Sequence, residues 1–473
     1  MTGEHSGGAG SPAAGPWRQV GECGARARRA RGARRVRGAG RHAGVVVALL
    51  LVLLGGCTLA GPAPRDPRPP APPPPASPPP VPDAPELPVV EVGVEPDLRV
   101  GIVVDVPSTR VEAGGAVEVV DEAGRVRGRG GPGDAWAIRR SGAGVEAVGR
   151  AETVRVAGSL VFRSVGDAPL TVDGRSYRGA VIMRPGATGV TAVNVLDLEA
   201  YLLGVVPLEI GAGRPAEELE AVKAQAIAAR TYAIRHMGRR SDQGFDLYAT
   251  VMDQAYGGAG VEDPVSTRAV RETRGQIVVY RDQPIEAYYH STCGGRTAAL
   301  EEVWPGEPRP YLRSVSDERP GGGAYCESSN RFRWTERWDE AALTAALTTG
   351  LRERVAISGP VTRVDYLAVS GSTPSGRVET LLVSTNLGQQ RVRGDSIRWV
   401  LRPEPGRILN SAAVTLEPHG HGKVTSLTAE GRGWGHGIGM CQVGALGRAR
   451  DGHSYRDILS AYYPGTEIVR LYR

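Results

Sequence analysis

The chain has 473 residues, of which 41% are hydrophobic, so it can bury at least one large core and is long enough for two or three domains. Its formal net charge is +6, but residues 1–56 alone carry nine arginines and two glutamates. The remaining residues hold 48 basic and 49 acidic side chains, a balance that excludes the strongly basic body typical of nucleic-acid-binding proteins. We therefore expect no nucleic-acid partner.

A secretory signal precedes the body of the chain. The arginines come before an apolar run, Val45–Leu54, that is too short to span a bilayer comfortably. The run leads into the sequence LGGC, which ends at Cys57 and resembles a bacterial lipobox, in which the cysteine is lipidated and becomes the new N-terminus. We predict a lipoprotein signal peptide over residues 1–56 and lipidation of Cys57; a noncleaved membrane anchor is the alternative.

A proline-rich linker follows over residues 57–96. The stretch from Gly61 to Pro88 favours an extended polyproline helix, which at about 3.1 Å per residue would reach roughly 80–90 Å. Such a tether would lift the folded part clear of the membrane. Together with the lipobox it indicates a cell-envelope protein that is lipid-anchored and faces the periplasm, and Thr58 after the cysteine favours the outer membrane.

The folded body is predicted to begin near Asp97. Residues 97–200 contain short β-branched stretches separated by turns with Gly, Asp or Asn, which predicts mainly strands. The strongest helix signal follows Pro215, where apolar residues recur at helical spacing and many inward positions are alanine. Strands return after this helix, and a short helix closes the chain. The pattern predicts an α+β fold, with a β-rich body and one principal alanine-rich helix.

Four motifs carry a resemblance to one family. They are YLLGVVPLEI with KAQAIAARTYA in residues 201–233, DQAYGG with TRGQIVVY in residues 253–280, AYYHSTCGGRT in residues 287–297, and GRGWGHGIGMCQVGA in residues 431–445. In this order they resemble the stage II sporulation protein D / LytB family, whose members include peptidoglycan lytic transglycosylases and proteins named amidase enhancers. The resemblance covers about residues 97–470.

The resemblance implies both an organisation and a function. It implies a domain over residues 97–470, with a β-rich N-terminal part (97–200), a catalytic segment (201–330) that the principal helix carries, and a β-rich C-terminal part (331–470). It also implies a lytic transglycosylase that cleaves the MurNAc–GlcNAc bond of peptidoglycan on peptide-stripped strands and leaves 1,6-anhydroMurNAc ends. The alternative is a noncatalytic module that binds glycan and enhances a cell-wall amidase.

Glu209 is the candidate catalytic acid. A carboxyl at the end of an apolar strand and before glycine should have a raised pKa, so that it could protonate a glycosidic oxygen. The resemblance implies this role for Glu209, and it implies that one carboxyl suffices, because the sugar's own C6 hydroxyl attacks C1. The alternative is an acidic residue that is favoured near a helix N-terminus.

Further residues are predicted to bind the glycan. Lys223 and Arg230 share a helix face and can point toward sugar hydroxyls; a solvated helix face is the alternative for Lys223. In the glycine-rich motif, alternate glycines let a glycan or a neighbouring strand lie against the main chain, with Trp434 as a flat face for a sugar and His436 as a proton donor or acceptor. Internal packing is the alternative there. The predicted substrate-binding set is Lys223, Gln225, Arg230, Tyr232, Asp253, Gln254, Tyr256, Trp434, His436 and Gln442.

Three cysteines remain in the predicted exported body, and an odd number in an oxidising compartment needs an explanation. Cys293 lies three residues after His290, and Cys326 follows; these are the ligand types of a tetrahedral zinc site. Some family members that resemble this arrangement bind zinc, so we predict a structural zinc ion held by His290, Cys293 and Cys326. The alternative is a Cys293–Cys326 disulfide, and Cys441 is expected to be a buried thiol. The chemistry itself is expected to need no cofactor.

Overall fold

The computed structural model describes residues 93–472. The predicted signal peptide, Cys57 and nearly all of the proline-rich linker lie outside the described residues. No helix within residues 93–472 is long and apolar enough to cross a membrane. Strands and helices are both abundant and form several sheets, which confirms the predicted α+β class.

The N-terminal part consists of two sheets that pack face to face and are antiparallel except for one short edge strand that runs parallel to its neighbour. A seven-stranded sheet and a six-stranded sheet enclose a core in which the rings of Trp136 and Phe162, one from each sheet, meet edge to face at 5.4 Å. The strands alternate between buried and exposed positions where one face meets solvent, as in β2. Their bounds are β1 (Asp97–Val106), β2 (Ser108–Ala113), β3 (Val117–Asp121), β4 (Val126–Gly130), β5 (Ala135–Ser141), β6 (Gly144–Gly149), β7 (Thr153–Val156), β8 (Leu160–Ser164), β9 (Leu170–Val172), β10 (Arg175–Tyr177), β11 (Ala180–Pro185), β12 (Val190–Asp197) and β13 (Leu247–Tyr248). The strand orders are β13-β1-β12-β11-β8-β3-β4 and β10-β9-β2-β5-β6-β7.

The helices begin directly after β12, and the first two of them precede β13 in the chain. The helices are α1 (Leu198–Ile210), α2 (Leu219–His236), α3 (Pro264–Glu272), α4 (Leu300–Val303), α5 (Glu340–Val355), α6 (Ser396–Val400), α7 (Gln442–Arg450) and α8 (Tyr455–Tyr462). Short 3-10 turns occur at Ala216–Glu218, Ser241–Gln243 and Gly258–Val261. The predicted alanine-rich helix is α2, the longest of those described at 18 residues; α5 has 16. The alanines of α2 are fully buried, and their small side chains let α1, α3 and α7 approach the backbone of α2 closely.

The segment YLLGVVPLEI forms helix α1 and not the strand that its β-branched residues suggested. Asp197 caps this helix, because its carboxylate accepts a hydrogen bond from the Ala200 amide at 2.7 Å. The residues of α1 are apolar on nearly every side, and they are buried on nearly every side. Periodicity cannot separate a strand from a helix that is buried all round.

The remainder of the chain forms a second hydrophobic core and then returns to the first. Residues 334–429 build a separate core from two three-stranded sheets, ordered β17-β22-β21 and β18-β19-β20, with α5 and α6. Residues 438–472 instead pack into the core that contains α2. The bounds are β14 (Gln276–Tyr280), β15 (Gln283–Pro284), β16 (Tyr289–His290), β17 (Trp334–Asp339), β18 (Val364–Ser372), β19 (Val378–Thr385), β20 (Gly388–Arg393), β21 (Val414–His419), β22 (Ser426–Gly431), β23 (Met440–Cys441) and β24 (Glu467–Arg470).

Short strand pairs connect the distant motifs. Strands β16 and β23 pair in parallel, so that Tyr289 lies opposite Met440 and His290 opposite Cys441. Strand β14 lies between β15 and β24 and packs on α2. The HSTC motif and the glycine-rich motif therefore share one small sheet.

Candidate active site

Glu209 lies in the last turn of α1, half-buried, with three hydrogen-bond donors around its carboxyl group. The Ala255 amide donates to its Oε1 at 2.8 Å, and the side chains of Tyr289 and Gln442 lie beside it as further donors. Burial raises the pKa of Glu209 above its ordinary value, although these hydrogen bonds act in the opposite direction. The direction of the pKa shift agrees with the prediction. The prediction that Glu209 lies at the end of a strand was wrong, because it lies in helix α1.

A buried glutamine positions the tyrosine beside Glu209. The Gln254 amide donates from Nε2 to the Tyr289 hydroxyl oxygen at 2.9 Å and accepts a hydrogen bond from Tyr201 at 3.2 Å. Because the Tyr289 oxygen already accepts this bond, its own hydrogen is free to point at the Glu209 carboxyl. Burial raises the pKa of Tyr289 well above its ordinary value, so the hydroxyl stays protonated.

A second amide approaches Glu209 from the start of α7. Gln442 begins that helix, and its Nε2 donates to Oε1 of Gln225 on α2 at 3.3 Å. Gln225 is fully buried, and its own Nε2 has no hydrogen-bond partner among the described residues. Gln442 therefore lies between Glu209 and Gln225. Gln442 is next to the carboxyl group, and Gln225 contacts Gln442 from the buried side of α2.

The DQAYGG motif supports the site through its framework. The Asp253 carboxylate is fully buried and pairs with Arg240, whose Nε and Nη2 lie 3.0 and 3.1 Å from its oxygens. Tyr232 donates to Asp253 at 3.3 Å, and Tyr256 is a core residue whose hydroxyl donates to Asn194 at 2.8 Å. These contacts hold the loop whose next residues supply the amide to Glu209, and they correct the prediction that these side chains face substrate.

The two predicted cations on α2 make internal ion pairs. Arg230 is completely buried, and its Nε and Nη2 lie 2.8 and 2.6 Å from the Glu199 carboxylate. Lys223 is held between Glu220 and Glu272, each at 2.8 Å. The prediction that Arg230 reaches sugar hydroxyls was therefore wrong, because no solvent-facing atom of its side chain remains.

The glycine-rich motif places one aromatic ring in solvent and one imidazole inside. Trp434 is 41% exposed, and the Arg331 guanidinium lies 5.5 Å from its ring centre. His436 is hydrogen-bonded at both nitrogens: Nε2 lies 3.0 Å from the Tyr289 carbonyl oxygen, and Nδ1 accepts from the Ile438 amide at 3.0 Å. Burial lowers the pKa of His436 to about 4, so it is neutral and donates from Nε2. His436 thus holds the Tyr289 backbone, which corrects its predicted role as a proton donor or acceptor.

The alternate glycines admit a neighbouring strand of the same chain. A Cβ atom on Gly439 would lie 2.0 Å from the Tyr288 carbonyl oxygen, and one on Gly433 would lie 2.5 Å from that of Thr292. Both residues also have positive φ values, 70° and 80°, which side chains rarely adopt. Of the two occupants that the sequence suggested for this surface, the contacts show the neighbouring strand.

The cysteines meet in a group that differs from the predicted ligand set. Cys293, Asp317, Cys326 and Cys441 are all buried, and their potential ligand atoms lie within 4.8 Å of one another. His290 lies outside this group: its Nδ1 lies 3.2 Å from the Ile438 carbonyl oxygen. The three cysteines are free thiols, with Sγ atoms of Cys293 and Cys326 3.5 Å apart. Three thiols and a carboxyl group are a donor set that fits a zinc ion.

Tyr289, Asp317 and Cys441 are the site residues that sequence reasoning did not assign. Tyr289 stands inside the AYYHSTCGGRT motif, so its motif was a usable signal. Cys441 stands in the glycine-rich motif, where the odd number of cysteines was the available signal. Asp317 lies in no motif, and nothing in the sequence distinguishes it from other aspartates.

Comparisons with known proteins identify relatives of this chain. A family model described as "Stage II sporulation protein" matches residues 186–280, which contain α1, α2 and Glu209, and one described as a domain of unknown function matches residues 321–439. Stage II sporulation protein D of Bacillus subtilis is 32% identical over 293 residues, 59% of this chain and 76% of that protein. An uncharacterized protein of Brachyspira hyodysenteriae is 32% identical over 300 residues, 63% of this chain and 74% of that protein. The chain belongs to the stage II sporulation protein D family.

A further relative is a longer protein with a different name. The Bacillus subtilis protein named "Amidase enhancer" is 32% identical over 331 residues, which are 63% of this chain but 45% of that protein. The similarity therefore concerns less than half of that relative.

Proposed function

We propose that the protein is a peptidoglycan lytic transglycosylase that cleaves the MurNAc–GlcNAc bond and leaves 1,6-anhydroMurNAc ends. The observation that carries the proposal is the half-buried Glu209 carboxyl, whose pKa is raised and which three hydrogen-bond donors surround. The names of the relatives, stage II sporulation protein D and amidase enhancer, support a role in cell-wall remodelling.

The proposed reaction uses one carboxyl group twice. Burial raises the pKa of Glu209, which favours the protonated form, and in the proposed reaction Glu209 donates its proton to the glycosidic oxygen as the bond to MurNAc C1 breaks. The C6 hydroxyl of the same MurNAc then attacks C1 and gives its proton to the Glu209 carboxylate. The GlcNAc leaves with a hydroxyl group, the MurNAc keeps a 1,6-anhydro bridge, and the acid is regenerated.

The neighbours of Glu209 stabilise the negative charge that its carboxylate carries between the two proton transfers. After the first proton transfer, the Tyr289 hydroxyl, the Gln442 amide and the Ala255 amide can all donate to the carboxylate. Gln254 and Gln225 hold the first two of these donors in place. The proposed roles are therefore Glu209 as acid and base, with Tyr289 and Gln442 as direct partners.

The test of the function is the chemistry of the product. Purified protein is incubated with intact sacculi and with sacculi stripped of stem peptides, and the soluble fragments are analysed by mass spectrometry. We expect 1,6-anhydroMurNAc ends, in larger amount from the stripped strands. Fragments with ordinary reducing ends, or no fragments from either substrate, would contradict the proposal.

The amidase-enhancer relative favours a second candidate, a module that binds glycan and stimulates a cell-wall amidase. This candidate predicts that the protein raises the rate of stem-peptide release when a purified amidase is added to sacculi. It further predicts the same stimulation by Glu209→Gln, since no acid is needed. Stimulation without anhydro ends would favour this function over the transglycosylase.

Trp434 is proposed to stack on a sugar ring of the bound strand. Trp434→Ala should weaken glycan binding by about 1–2 kcal/mol, roughly 5–30-fold in Kd, because the exposed indole face is lost. Binding of the folded variant to peptide-stripped strands checks this by co-sedimentation. Tyr366→Ala is the matched control, since Tyr366 is a similarly exposed aromatic on β18. If both variants lost the same amount of glycan affinity, the result would contradict the proposal that Trp434 contacts the glycan.

We propose a cell-envelope location with a lipid anchor at Cys57, on the sequence pattern of residues 45–57. Cys57→Ala should abolish incorporation of labelled palmitate. The protein should then be released in soluble form or remain as an uncleaved precursor. Metabolic labelling and membrane fractionation measure both. A labelled, membrane-bound variant would exclude the lipobox interpretation.

A further inference from the structure

Three arginines lie next to Trp434 on two segments of the chain that contact each other. Arg331 and Arg333 precede strand β17, and Arg432 follows β22, two residues before Trp434. The Gly433 amide donates to the Arg331 carbonyl oxygen at 3.0 Å, which joins the two segments. Within residues 93–472, none of the three guanidinium groups forms an ion pair with a carboxylate.

The three guanidinium groups make contacts with uncharged partners instead. Arg331 lies over the Trp434 indole at 5.5 Å from the ring centre. Arg333 Nη1 donates to the carbonyl oxygen of the preceding residue at 3.2 Å, and Arg432 Nη2 donates to the Ser375 carbonyl oxygen at 3.3 Å. A guanidinium group carries more N–H donors than these contacts use. Each arginine therefore keeps donors that a ligand can engage.

The register of the β17–β22 pair brings two of these positive charges together. Trp334 lies opposite Gly431 at the end of the ladder, so the next residues on the two segments are Arg333 and Arg432. Like charges at opposite positions of a strand pair repel each other. Glu430 lines the same groove as both arginines, but it forms no ion pair with either of them in the described part of the chain. An anionic ligand at this position would offset the repulsion.

A groove of about 1160 Å³ opens beside Arg333 and Arg432. It lies between β18 and β21, which are edge strands of the two sheets of the second core. Its apolar lining includes Leu367, Val369 and Leu416. An extended ligand that lies on the exposed Trp434 ring therefore has room to continue past the arginines.

The proposed substrate carries a complementary charge once its stem peptides have been removed. In an intact strand, the lactyl carboxyl group of each MurNAc forms an amide with the first residue of the stem peptide. Hydrolysis of that amide frees the carboxylate, so a stripped strand bears one anion on every second sugar. Arginine binds a carboxylate through two parallel N–H···O hydrogen bonds, which give geometric specificity as well as affinity.

We propose that Arg331, Arg333 and Arg432 recognise the free lactyl carboxylates of peptide-stripped strands, while Trp434 stacks on a sugar ring. This inference rests on the proposed function, since it names the feature of the substrate that the protein selects. The arginines determine specificity and take no part in proton transfer, because the groups around the Glu209 carboxyl are other residues. An intact strand offers no carboxylate at this position and is bound more weakly.

Binding without cleavage tests this inference separately from the proposed reaction. The full chain carries Glu209→Gln, so that the strands stay whole, and is titrated into fluorescently labelled glycan strands. The two probes differ only in charge: one is stripped strands, and the other is the same strands after carbodiimide and ammonium have converted the lactyl carboxylates to neutral amides. We expect the Kd for the amidated strands to be about 10–100-fold higher, since several arginine–carboxylate pairs are lost.

Arginine variants in the same background assign the selectivity to these residues. Each single change of Arg331, Arg333 or Arg432 to glutamine should weaken binding of stripped strands about 2–5-fold. The triple variant should bind stripped and amidated strands with nearly the same Kd. Arg391→Gln is the matched control, because Arg391 is exposed on β20 and forms no ion pair within residues 93–472. It should keep the full ratio between the two Kd values.

Two results would overturn the inference. One is equal Kd values for the two probes when all three arginines are present. The other is a triple variant, folded by circular dichroism, that keeps the full ratio; if the triple variant fails to fold, unchanged ratios in the single variants decide in the same way. Selective binding by a protein that yields no anhydro ends would contradict the proposed reaction alone, whereas anhydro ends without selective binding would contradict this inference alone.

Discussion

Replacing Glu209 by glutamine should lower the rate of glycan-strand cleavage by about 10²–10⁴-fold, because the amide has nearly the same shape but has no acidic proton to give. The variant should fold normally. Burial raises the pKa of Glu209, so in the folded state the charged form is disfavoured, and any stabilisation by this group is lost as the pH rises through that pKa. At neutral pH the neutral glutamine should therefore cost no stability. Release of anhydro products per folded protein is the measurement.

The pH profile of the wild type adds a second readout of the same group. The acid must be protonated at the start of the cycle, so kcat/KM should fall as the pH rises through the raised pKa of Glu209. Burial lowers the pKa of His436 to about 4, so this imidazole is already uncharged near neutral pH. Glu217→Gln, at an exposed carboxylate after α1, is the control and should leave rate and profile unchanged. If Glu209→Gln cleaved glycan strands at a nearly normal rate, Glu209 would not be the catalytic acid.

Replacing Arg230 by alanine should destabilise the protein by about 3–5 kcal/mol, because it leaves the Glu199 carboxylate buried without its cation. The guanidinium also donates to the carbonyl oxygens of Gln276 and Val270, so the change leaves further acceptors without partners. Urea unfolding followed by circular dichroism measures the free energy of unfolding. Binding of glycan by the remaining folded protein should be unchanged.

Lys223→Ala is the control for this prediction, since Lys223 lies on the same helix and also pairs with two glutamates. Its partners Glu220 and Glu272 are about one third exposed, so the loss should be at most about 1 kcal/mol. The double variant Glu199→Gln with Arg230→Met removes both charges and should be more stable than Arg230→Ala alone. If Arg230→Ala unfolds at the same urea concentration as Lys223→Ala but binds glycan poorly, Arg230 contacts substrate and the structural assignment fails.

The sequence alone determined features that depend on local pattern or on a motif. Alternating β-branched stretches predicted a strand-rich region before the helices, and alanine at inward spacing predicted α2. The motifs indicated Glu209 as the candidate acid and the family to which the chain belongs. A carboxyl flanked by apolar residues also indicated the direction of its pKa shift, because burial alone sets that direction.

The tertiary structure alone decided which distant side chains meet. Helix α1 looked like a strand because a helix buried on all sides has no amphipathic period. Arg230 looked like a ligand for sugar because its partner Glu199 lies 31 positions away, and the cysteine cluster gains Cys441 from 148 positions beyond Cys293. Ion pairing and metal coordination depend on distances of a few ångströms between atoms, and separation along the chain does not constrain those distances until the sheets and helices have packed.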